Sequence, residues 1–523
     1  MAKSIPSIFY LLLLTSHLQA ARILIVLPLP LWSHYMQFHP LWQSLAERGH
    51  NVTVYSAFPP ETPIPNFRHV DLTLPKIKDV FDSYDHFERK AIQASQSNFE
   101  QGIYTQNLLF NFGIFISQEV FANRAFQDLL HSNDTYDLVI LESFFGQEAL
   151  AVLGHKFQAP IIAETSYGTP HNCFLFMGNP NLYAYMPDYK FAFPARMDFL
   201  QRLQNTAMGL YAHVVGDWWY FPKVDEIMRT FTKPEDNLPY IKTMMNNISA
   251  TFIYSHPILE SERPQVSNLI HVGGMHLKNE KLPKDLEDIM SNAPEGVVYV
   301  SFGSIIQPAK MPAELKDTLV RVFSKMRQTV LWRWKGTPIA NLPKNIVQKN
   351  WVPQQAVLAH PNCRLFISHG GVNSVLEAIH HAVPLVGVDF YGDQKSNVQR
   401  MVDLGAAVPL SYFNITEKSL LWAANTVLDN ESYKLAALKA SRRFNDRQNS
   451  PLNTAIWWVE YVLRHHGAPH LRSAFDDLSW VEFLLLDVLA FVTVVLLTVL
   501  YVLLWIARAV KCRLYFAKKA KSE

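Results

Sequence analysis

The chain has few cysteines, little charge imbalance and no short repeats, and each shortage excludes a class of protein. Three cysteines among 523 residues are too few for a disulfide scaffold. A formal net charge of +2, without a basic stripe interleaved with aromatic residues, argues against nucleic-acid binding. The first apolar run is followed by LPLPLWSH and not by G-x-G-x-x-G, which excludes an NAD-linked oxidoreductase. The length gives room for two or three domains with large cores.

Alternating strand and helix patterns predict two α/β halves. The strands predicted in the first half are the apolar runs at 22–28, 51–57, 136–141 and 159–163. Their β-α-β order implies a parallel sheet with right-handed crossovers. The second half begins near Gly296 with VVYVSFGS and then TVLWRW. Residues 270–293, with scattered Pro, Lys and Glu, form the natural linker between the halves.

The stretch from Trp351 to Gln394, WVPQQAVLAHPNCRLFISHGGVNSVLEAIHHAVPLVGVDFYGDQ, has the layout of a nucleotide-diphosphate site. Its apolar run RLFIS is typical of a buried parallel strand, and the glycines of the following His-Gly-Gly let backbone approach a ligand closely. Asn373 then opens a helix, whose positively polarised N-terminus favours a phosphate. Glu377 lies one turn later on the same helix face. Asp393 and Gln394 follow the next strand, at the edge where open α/β sheets bind ligands.

The order W-x-P-Q, H-G-G-x-N-S-x-x-E and D-Q closely resembles the signature of the UDP-glycosyltransferases, in particular their animal UDP-glucuronosyltransferase-like branch. The similarity runs from the first strand near Ala21 to the basic tail. This resemblance implies the GT-B fold, in which two facing Rossmann-like, doubly wound α/β domains enclose a ligand cleft. We therefore predict an N-terminal acceptor-binding domain at 21–280 and a C-terminal UDP-sugar-binding domain at 281–480.

The resemblance also implies a role for each signature residue. Trp351 stacks on uracil, Gln354 assists there or at the ribose, and Glu377 holds the ribose hydroxyls. Asp393 and Gln394 hold the sugar hydroxyls. The residues implied to lie at the phosphates are Ser304, His369, Gly371, Asn373 and Ser374. Taken singly, Trp351 could only pack, Asn373 could only cap its helix and Asp393 could only form a turn. The family spacing argues against that structural interpretation for the whole set.

The catalytic base is predicted in the loop after the first strand. LPLPLWSHY places His34 there, and the family carries its base at the matching S-H position. Histidine suits proton transfer near neutral pH. His39, within the following helix, is the alternative. A carboxylate usually orients such a base; where the family commonly has Asp, this chain has Glu142, with Glu148 as a second choice.

The resemblance implies single displacement, in which the base deprotonates an acceptor hydroxyl and an α-linked UDP-sugar gives a β-glycoside. No cofactor is expected because the UDP-sugar is a co-substrate. The resemblance also implies that no metal is needed, since such sites use protein dipoles instead of a cation, and no D-x-D pair is placed to hold one. Residues 177–189 look like those of invertebrate members, which mostly resemble UDP-glucose users, so glucose is favoured. UDP-glucuronic acid is the alternative donor, whose carboxylate would need a cation such as Arg196, Arg263 or Arg333. A catalytically inactive nucleotide-sugar-binding partner protein is also retained as an alternative.

Two stretches rich in Phe, Trp, Tyr and Met bear on the acceptor. They are Ile103–Phe126 and Lys190–Phe221, and either could wall a lipophilic pocket. Core packing or membrane contact explains such stripes equally well. A small lipophilic acceptor such as a phenol is the expectation, and it comes from the family.

Both ends of the chain contain predicted targeting segments. Residues 1–20 have a lysine, an apolar run and a terminal small residue, as in a cleaved signal peptide. Residues 484–507 are apolar and long enough to cross a bilayer, and the basic tail at 508–523 is expected in the cytosol. Lys519 and Lys521 resemble an endoplasmic-reticulum retrieval signal. We predict a single-pass type I protein of that membrane with its body in the lumen, an arrangement compatible with a homo-oligomer.

A lumenal body could be N-glycosylated at its sequons, which start at Asn51, Asn133, Asn247, Asn414 and Asn430. Asn51 begins a predicted strand, so its use is the least expected. Cys512 lies in the tail, which leaves Cys173 and Cys363 as the lumenal cysteines. No disulfide is expected between them.

Overall fold

A computed structural model of the chain describes residues 20–83, 97–144, 146–168, 176–233, 236–260, 263–304, 306 and 310–522. Contacts divide the chain into two units, Met1–Arg472 and Ser473–Glu523. Apart from Ala20, the predicted signal peptide lies outside the described residues. Cys173 also lies outside them, so the prediction that it forms no disulfide with Cys363 stays a prediction.

The first sheet has seven strands in the order β3-β2-β1-β4-β5-β6-β7. Its strands are β1 (Arg22–Leu27), β2 (Asn51–Ser56), β3 (Phe67–Asp71), β4 (Leu138–Glu142), β5 (Ile161–Thr165), β6 (Ile248–Ile253) and β7 (Leu269–His271). Neighbouring strands pair in parallel, and β1, β4, β5 and β6 are almost wholly buried. Burial on both faces explains why these strands read as continuous apolar runs.

Helices cover this sheet on both faces, as a doubly wound fold requires. They are α1 (Trp32–Glu47), α2 (Pro75–Ser83), α3 (Asn98–Ala122), α4 (Arg124–Leu130), α5 (Val152–Phe157), α6 (Phe199–Val215), α7 (Phe221–Thr230) and α8 (Ile241–Met245). The long α3 starts at a capping box, in which the Ser97 side chain accepts from the backbone N–H of Glu100 and the Glu100 carboxylate accepts from that of Ser97.

The second sheet repeats the same winding with six strands, in the order β10-β9-β8-β11-β12-β13. Its strands are β8 (Val297–Ser301), β9 (Thr329–Arg333), β10 (Ile346–Lys349), β11 (Cys363–Ser368), β12 (Leu385–Gly387) and β13 (Ala407–Pro409). The helices that follow β7 are α9 (Lys284–Ser291), α10 (Ala313–Ser324), α11 (Gln354–Ala359), α12 (Val372–His380), α13 (Gln394–Asp403), α14 (Glu417–Leu428), α15 (Glu431–Asn445) and α16 (Pro451–Arg464). The two central strands, β8 and β11, are buried because helices pack on both faces.

Two features of the connections differ from the sequence prediction. The predicted linker at 270–293 begins inside β7 and contains α9. Helix α16, within the range predicted for the second domain, packs against α1 and β6 of the first half. Its buried face, which includes Ile456 and Val459, joins the core around β1, and Arg48 contacts Glu460 at 3.2 Å. Nonlocal burial of an amphipathic face, which sequence does not show, decides where this helix belongs.

The C-terminal unit contains α17 (Trp480–Phe483) and α18 (Leu486–Ala520). Helix α18 is 35 residues long, its most apolar window has a mean hydropathy of 2.7, and none of that window is buried. At 1.5 Å per residue it spans about 50 Å, more than the roughly 30 Å hydrocarbon core of a bilayer. The helix continues through the predicted tail because Ala, Leu, Lys and Arg, which dominate there, favour helix.

Candidate active site

A cavity of about 900 Å³ lies between the two sheets and takes its lining from both halves of the first unit. His34 lines it, together with the residues predicted to bind the donor: Ser304, Trp351, Gln354, His369, Gly371, Asn373, Ser374, Glu377, Asp393 and Gln394. Several of these residues follow the carboxyl ends of parallel strands, where doubly wound sheets place their ligands. The structure therefore brings the set together, while the role of each member stays a prediction.

His34 lies in the first turn of α1, just after β1, rather than in the loop predicted from the sequence. Its imidazole is 11% exposed and its Nδ1 lies 3.1 and 3.2 Å from the two carboxylate oxygens of Glu142. Glu142 ends β4, the neighbour of β1 in the sheet, so parallel pairing alone brings the two side chains to one edge. The longer Glu arm does reach the histidine.

Glu142 is held as a carboxylate although it is buried. Burial acts to raise its pKa, but attraction to the His34 imidazole and hydrogen bonds from Ser166 and Gln147 outweigh it, so the pKa is lowered. An ionised Glu142 accepts a hydrogen bond from Nδ1–H of His34, which leaves Nε2 without a proton as the basic nitrogen. The electrostatics thus select the tautomer that a general base needs.

The two alternatives named for the base and its partner lie in other surroundings. Glu148 accepts a hydrogen bond of 2.6 Å from the Tyr220 hydroxyl, and burial raises its pKa to about 7. His39 also lines the cavity, but it stacks on Tyr35, and burial lowers its pKa. Glu142 is therefore the carboxylate that contacts His34.

Trp351 stands at the cavity with 65% of its surface exposed. A tryptophan that served only to pack would be covered, so this exposure favours a stacking role. Next to it, Gln354 donates to the Ser374 hydroxyl at 3.1 Å and to a Glu377 carboxylate oxygen. Gln354 also accepts from the Tyr299 hydroxyl at 3.1 Å. These contacts fix the nucleoside end of the predicted donor site.

Two glycines make room for the imidazole of His369. A Cβ atom at Gly303, where φ is +78°, or at Gly371 would lie 2.6 Å from its Nε2 atom. A side chain at either position would push the imidazole out of its place, and at Gly303 the positive φ is a second reason for glycine. Gly371 is also the N-cap of α12, whose first backbone N–H groups border the cavity.

Asn373 links the two halves of the first unit. Its Oδ1 accepts from Gln37 at 2.8 Å, and its Nδ2 donates to the Ser33 carbonyl at 3.3 Å. Gln37 also donates to the Ser166 carbonyl at 2.8 Å. The side chain predicted to hold phosphate thus contacts the turn that carries His34.

Asp393 and Gln394 lie side by side at the start of α13. Burial raises the pKa of Asp393 to about 6, against a hydrogen bond from Asn397 at 2.6 Å that lowers it. The amide oxygen of Gln394 accepts from the backbone N–H groups of Phe390 and Tyr391 at 2.8 and 3.1 Å. Because the amide oxygen is occupied, the NH₂ group of Gln394 is the part that can donate a hydrogen bond to a ligand.

The two apolar stretches that could wall an acceptor pocket differ in how much of each lines the cavity. One face of α3 lines the cavity, at the helical spacing of Gln101, Tyr104, Thr105, Leu108, Leu109 and Phe112. In the second stretch, Lys190 lines the cavity, whereas Phe199, Leu200, Leu203 and Leu210 of α6 are exposed on the protein surface. The first stretch therefore lines the pocket as far as Phe112, its later residues such as Phe121 and Phe126 pack in the core, and most of the second stretch lies outside the pocket.

Of the three arginines that could pair with a glucuronate carboxylate, the structure places one at the cavity. Arg333 lines the cavity and donates to the Gly303 carbonyl at 3.0 Å. Arg263 is nearly buried against Glu260, and Arg196 is exposed on the surface. Lys395, which sequence did not single out, lines the cavity and donates to Gln101 at 2.8 Å.

Residues 22–522 match the family described as UDP-glucoronosyl and UDP-glucosyl transferase. The chain belongs to this family. The match covers both sheets and α18, so the family resemblance predicted from the signature is confirmed along the chain and the protein is a UDP-glycosyltransferase.

Individual relatives support the same assignment. The transferase is 33% identical to UDP-glucosyltransferase 2 of Dactylopius coccus, over 97% of this chain and 96% of that one. It is 30% identical to UDP-glucuronosyltransferase 2A3 of Mus musculus, over 94% and 92% of the two chains. The crystal structure of glycosyltransferase VinC in complex with DTDP aligns with a TM-score of 0.55 at 17% identity, covering 85% of this chain and all of that one. This likeness confirms the predicted GT-B fold.

Several polar residues of the transferase's site escaped the sequence analysis. Gln147 and Ser166 donate hydrogen bonds to Glu142, and Gln37 donates to the Ser166 carbonyl and to Asn373. Tyr254 contacts His276, which in turn contacts Glu377. Ser166 directly follows β5 at the carboxyl edge shared with Glu142, so its position was a usable signal. Gln37 lies three residues after His34, on the same face of α1.

Proposed function

We propose that this UDP-glycosyltransferase transfers a hexose, with glucose favoured, from a UDP-sugar to the hydroxyl of a small lipophilic acceptor and inverts the anomeric centre. The contact of His34 with the ionised Glu142 at the cavity wall carries this proposal. The family shows UDP-sugar transfer, and the choice of hexose and acceptor is the part proposed.

The proposed reaction is a single displacement. His34 Nε2 takes the proton of the acceptor hydroxyl, and the oxygen attacks the anomeric carbon of the sugar as that carbon's bond to the β-phosphate oxygen breaks. The bonding electrons leave with UDP. Glu142 stabilises the imidazolium that forms, as the carboxylate does in a Ser-His-Asp triad. Attack from the face opposite the phosphate converts an α-linked donor into a β-glycoside.

The leaving UDP is proposed to lie along the second half of the site. The backbone N–H groups at the start of α12, with His369 and Ser304, would stabilise charge on the phosphates. Trp351 would stack on uracil and Glu377 would accept the ribose hydroxyls. The backbone N–H groups of a helix are fixed before the donor arrives, and preorganised dipoles are the most effective stabilisers of developing charge.

Asp393 supports a neutral sugar. An ionised Asp393 would repel a second carboxylate beside it, as in glucuronic acid, and that repulsion would add to the burial that already raises the pKa of Asp393 to about 6. Its oxygens and the Gln394 amide suit sugar hydroxyls instead. The relative named UDP-glucosyltransferase 2 agrees with this choice.

The first half of the cavity supports a lipophilic acceptor. Leu108, Leu109 and Phe112 of α3 present apolar surface there, and Trp32 stacks on Tyr35 with ring centroids 5.4 Å apart beside His34. A flat aromatic alcohol would bury its ring against these groups while its hydroxyl meets the imidazole.

The proposal is tested with membranes from cells that express the full chain. They are incubated with a panel of phenols and with UDP-glucose or UDP-glucuronic acid separately, and the anomeric configuration of the product is read by NMR. We expect a β-glucoside from UDP-glucose and a much smaller yield from UDP-glucuronic acid. A β-glucuronide as main product would overturn the sugar choice, and an α-linked product would overturn the single displacement. UDP-sugar binding without any product would instead support the inactive-partner alternative.

We also propose that α18 anchors the enzyme in the endoplasmic-reticulum membrane with its body in the lumen. The apolar length of α18 supports an anchor, and the exposure of the five sequon asparagines is compatible with lumenal glycosylation. Since a charged nucleotide sugar does not cross an apolar bilayer unaided, sealed microsomes should show low activity that rises several-fold after detergent permeabilisation. Equal activity before and after permeabilisation, in vesicles shown to be sealed, would place the body on the cytosolic side.

A further inference from the structure

A second buried histidine–carboxylate contact lies at the donor end of the cavity. His276 follows β7 in the connection between the two halves and is 1% exposed. Its Nε2 lies 3.1 Å from Oε1 of Glu377, a residue of α12. Both side chains line the cavity. The contact therefore joins the connection to the carboxylate proposed to bind ribose.

Tyr254 decides which nitrogen of His276 carries the proton. Its hydroxyl is hydrogen-bonded to Nδ1 of His276, and it accepts the backbone N–H of the same residue at 3.2 Å. Tyr254 is fully covered, and burial raises its pKa above the ordinary value, so the hydroxyl keeps its proton and donates it to Nδ1. The imidazole proton then sits on Nε2, and this N–H donates a hydrogen bond to Glu377.

Glu377 is consequently held at both oxygens. Oε1 accepts from His276 and Oε2 accepts from Gln354, whose own amide oxygen is fixed by Tyr299. Each carboxylate oxygen has a further lone pair for a ligand hydroxyl. Two fixed donors leave the carboxylate one orientation, which lowers the ordering cost when a ribose binds.

We propose that His276 is a positioning residue for donor binding: through its Nε2–H it orients Glu377 toward the ribose hydroxyls, and Tyr254 fixes the required tautomer. This inference rests on the proposed role of Glu377 in the donor site. His276 itself takes no part in the proton transfer at His34. Its loss should weaken nucleotide binding and leave the chemical step nearly intact.

The test compares His276→Leu, which removes the donor, with His276→Gln, whose amide places an N–H near the position of Nε2. In the full-length enzyme, His276→Leu should raise the KM for the donor and the Kd for UDP by about 10- to 100-fold, the range of a lost hydrogen bond to a charged group. The kcat value should change by less than about threefold. His276→Gln should recover most of the affinity. A fall in kcat with unchanged KM would overturn the proposal.

A ribose probe separates positioning from a general structural effect. The Kd values of UDP and 2′-deoxy-UDP are measured for wild type and both variants. Wild type should prefer UDP, and His276→Leu should lose most of that preference, because an unoriented Glu377 gains little from the 2′-hydroxyl. An equal loss of affinity for both nucleotides would mean that His276 only supports the fold.

Tyr254→Phe provides an independent check if His276→Leu fails to fold. It should raise the UDP Kd in the wild-type background, because the imidazole can then adopt the other tautomer. In the His276→Gln background, which has no tautomer to fix, the same change should cost less than about twofold. Additive losses would contradict the role given to Tyr254. If wild type makes product in the phenol assay while these affinities do not move, this inference fails and the proposed function stands.

Discussion

His34→Ala should lower kcat by about 10²- to 10⁴-fold, the usual contribution of a positioned general base. The donor KM should change little, because the groups proposed to bind UDP-sugar lie in the second half of the site. The variant is assayed at saturating donor with a phenol that is un-ionised at the assay pH. His39→Ala is the matched control: it removes a histidine from the same helix and cavity and should keep activity within about tenfold.

The acidity of the acceptor makes this test specific. A phenol with a pKa below the assay pH is already ionised and needs no base, so His34→Ala should lose far less activity with it than with an ordinary phenol of pKa about 10. A loss that is equal for both acceptors would show that His34 positions the acceptor and does not take its proton. Unchanged activity with both would refute the assignment of the base.

Glu142→Gln should lower kcat by about 10²- to 10⁴-fold, by analogy with the loss of the orienting carboxylate in a triad. The Gln amide can present N–H to Nδ1 of His34, which would favour the tautomer with its proton on Nε2 and remove the base. The lost charge would also leave the imidazolium of the reaction unstabilised. Steady-state kcat with an ordinary phenol measures the effect.

Two companion variants define the cause of that loss. Glu148→Gln makes the same isosteric change at a buried glutamate six residues away, which contacts Tyr220, and should keep activity. Glu142→Asp keeps the charge on a shorter arm, so its kcat should lie between those of wild type and Glu142→Gln. Equal damage from Glu142→Asp and Glu142→Gln would show that the reach of the side chain matters as much as its charge.

Most of the central strands that position the site could be predicted from the sequence. Continuous apolar runs predicted β1, β4, β5, β8, β9 and β11 because strands buried on both faces need no polar alternation. The edge strands β3 and β10, which are partly exposed, have no such pattern and were not predicted. The short β7 and β13 were missed as well, since three residues give too little periodicity. The buried β6, whose sequence ISATFI mixes Ser and Thr with apolar residues, was also not predicted.

The chain by itself predicted the family, the two doubly wound halves, the residues that meet at the cavity and His34 with a glutamate partner, because each depends on residue types at short spacing or at the ends of neighbouring strands. Tertiary structure alone decided the contacts between distant segments. It separated Glu142 from Glu148, placed Asn373 against Gln37, and joined Tyr254 and His276 to Glu377. Such pairings depend on how the two halves pack and on which polar groups burial leaves in need of a partner, and no local pattern in the sequence encodes either.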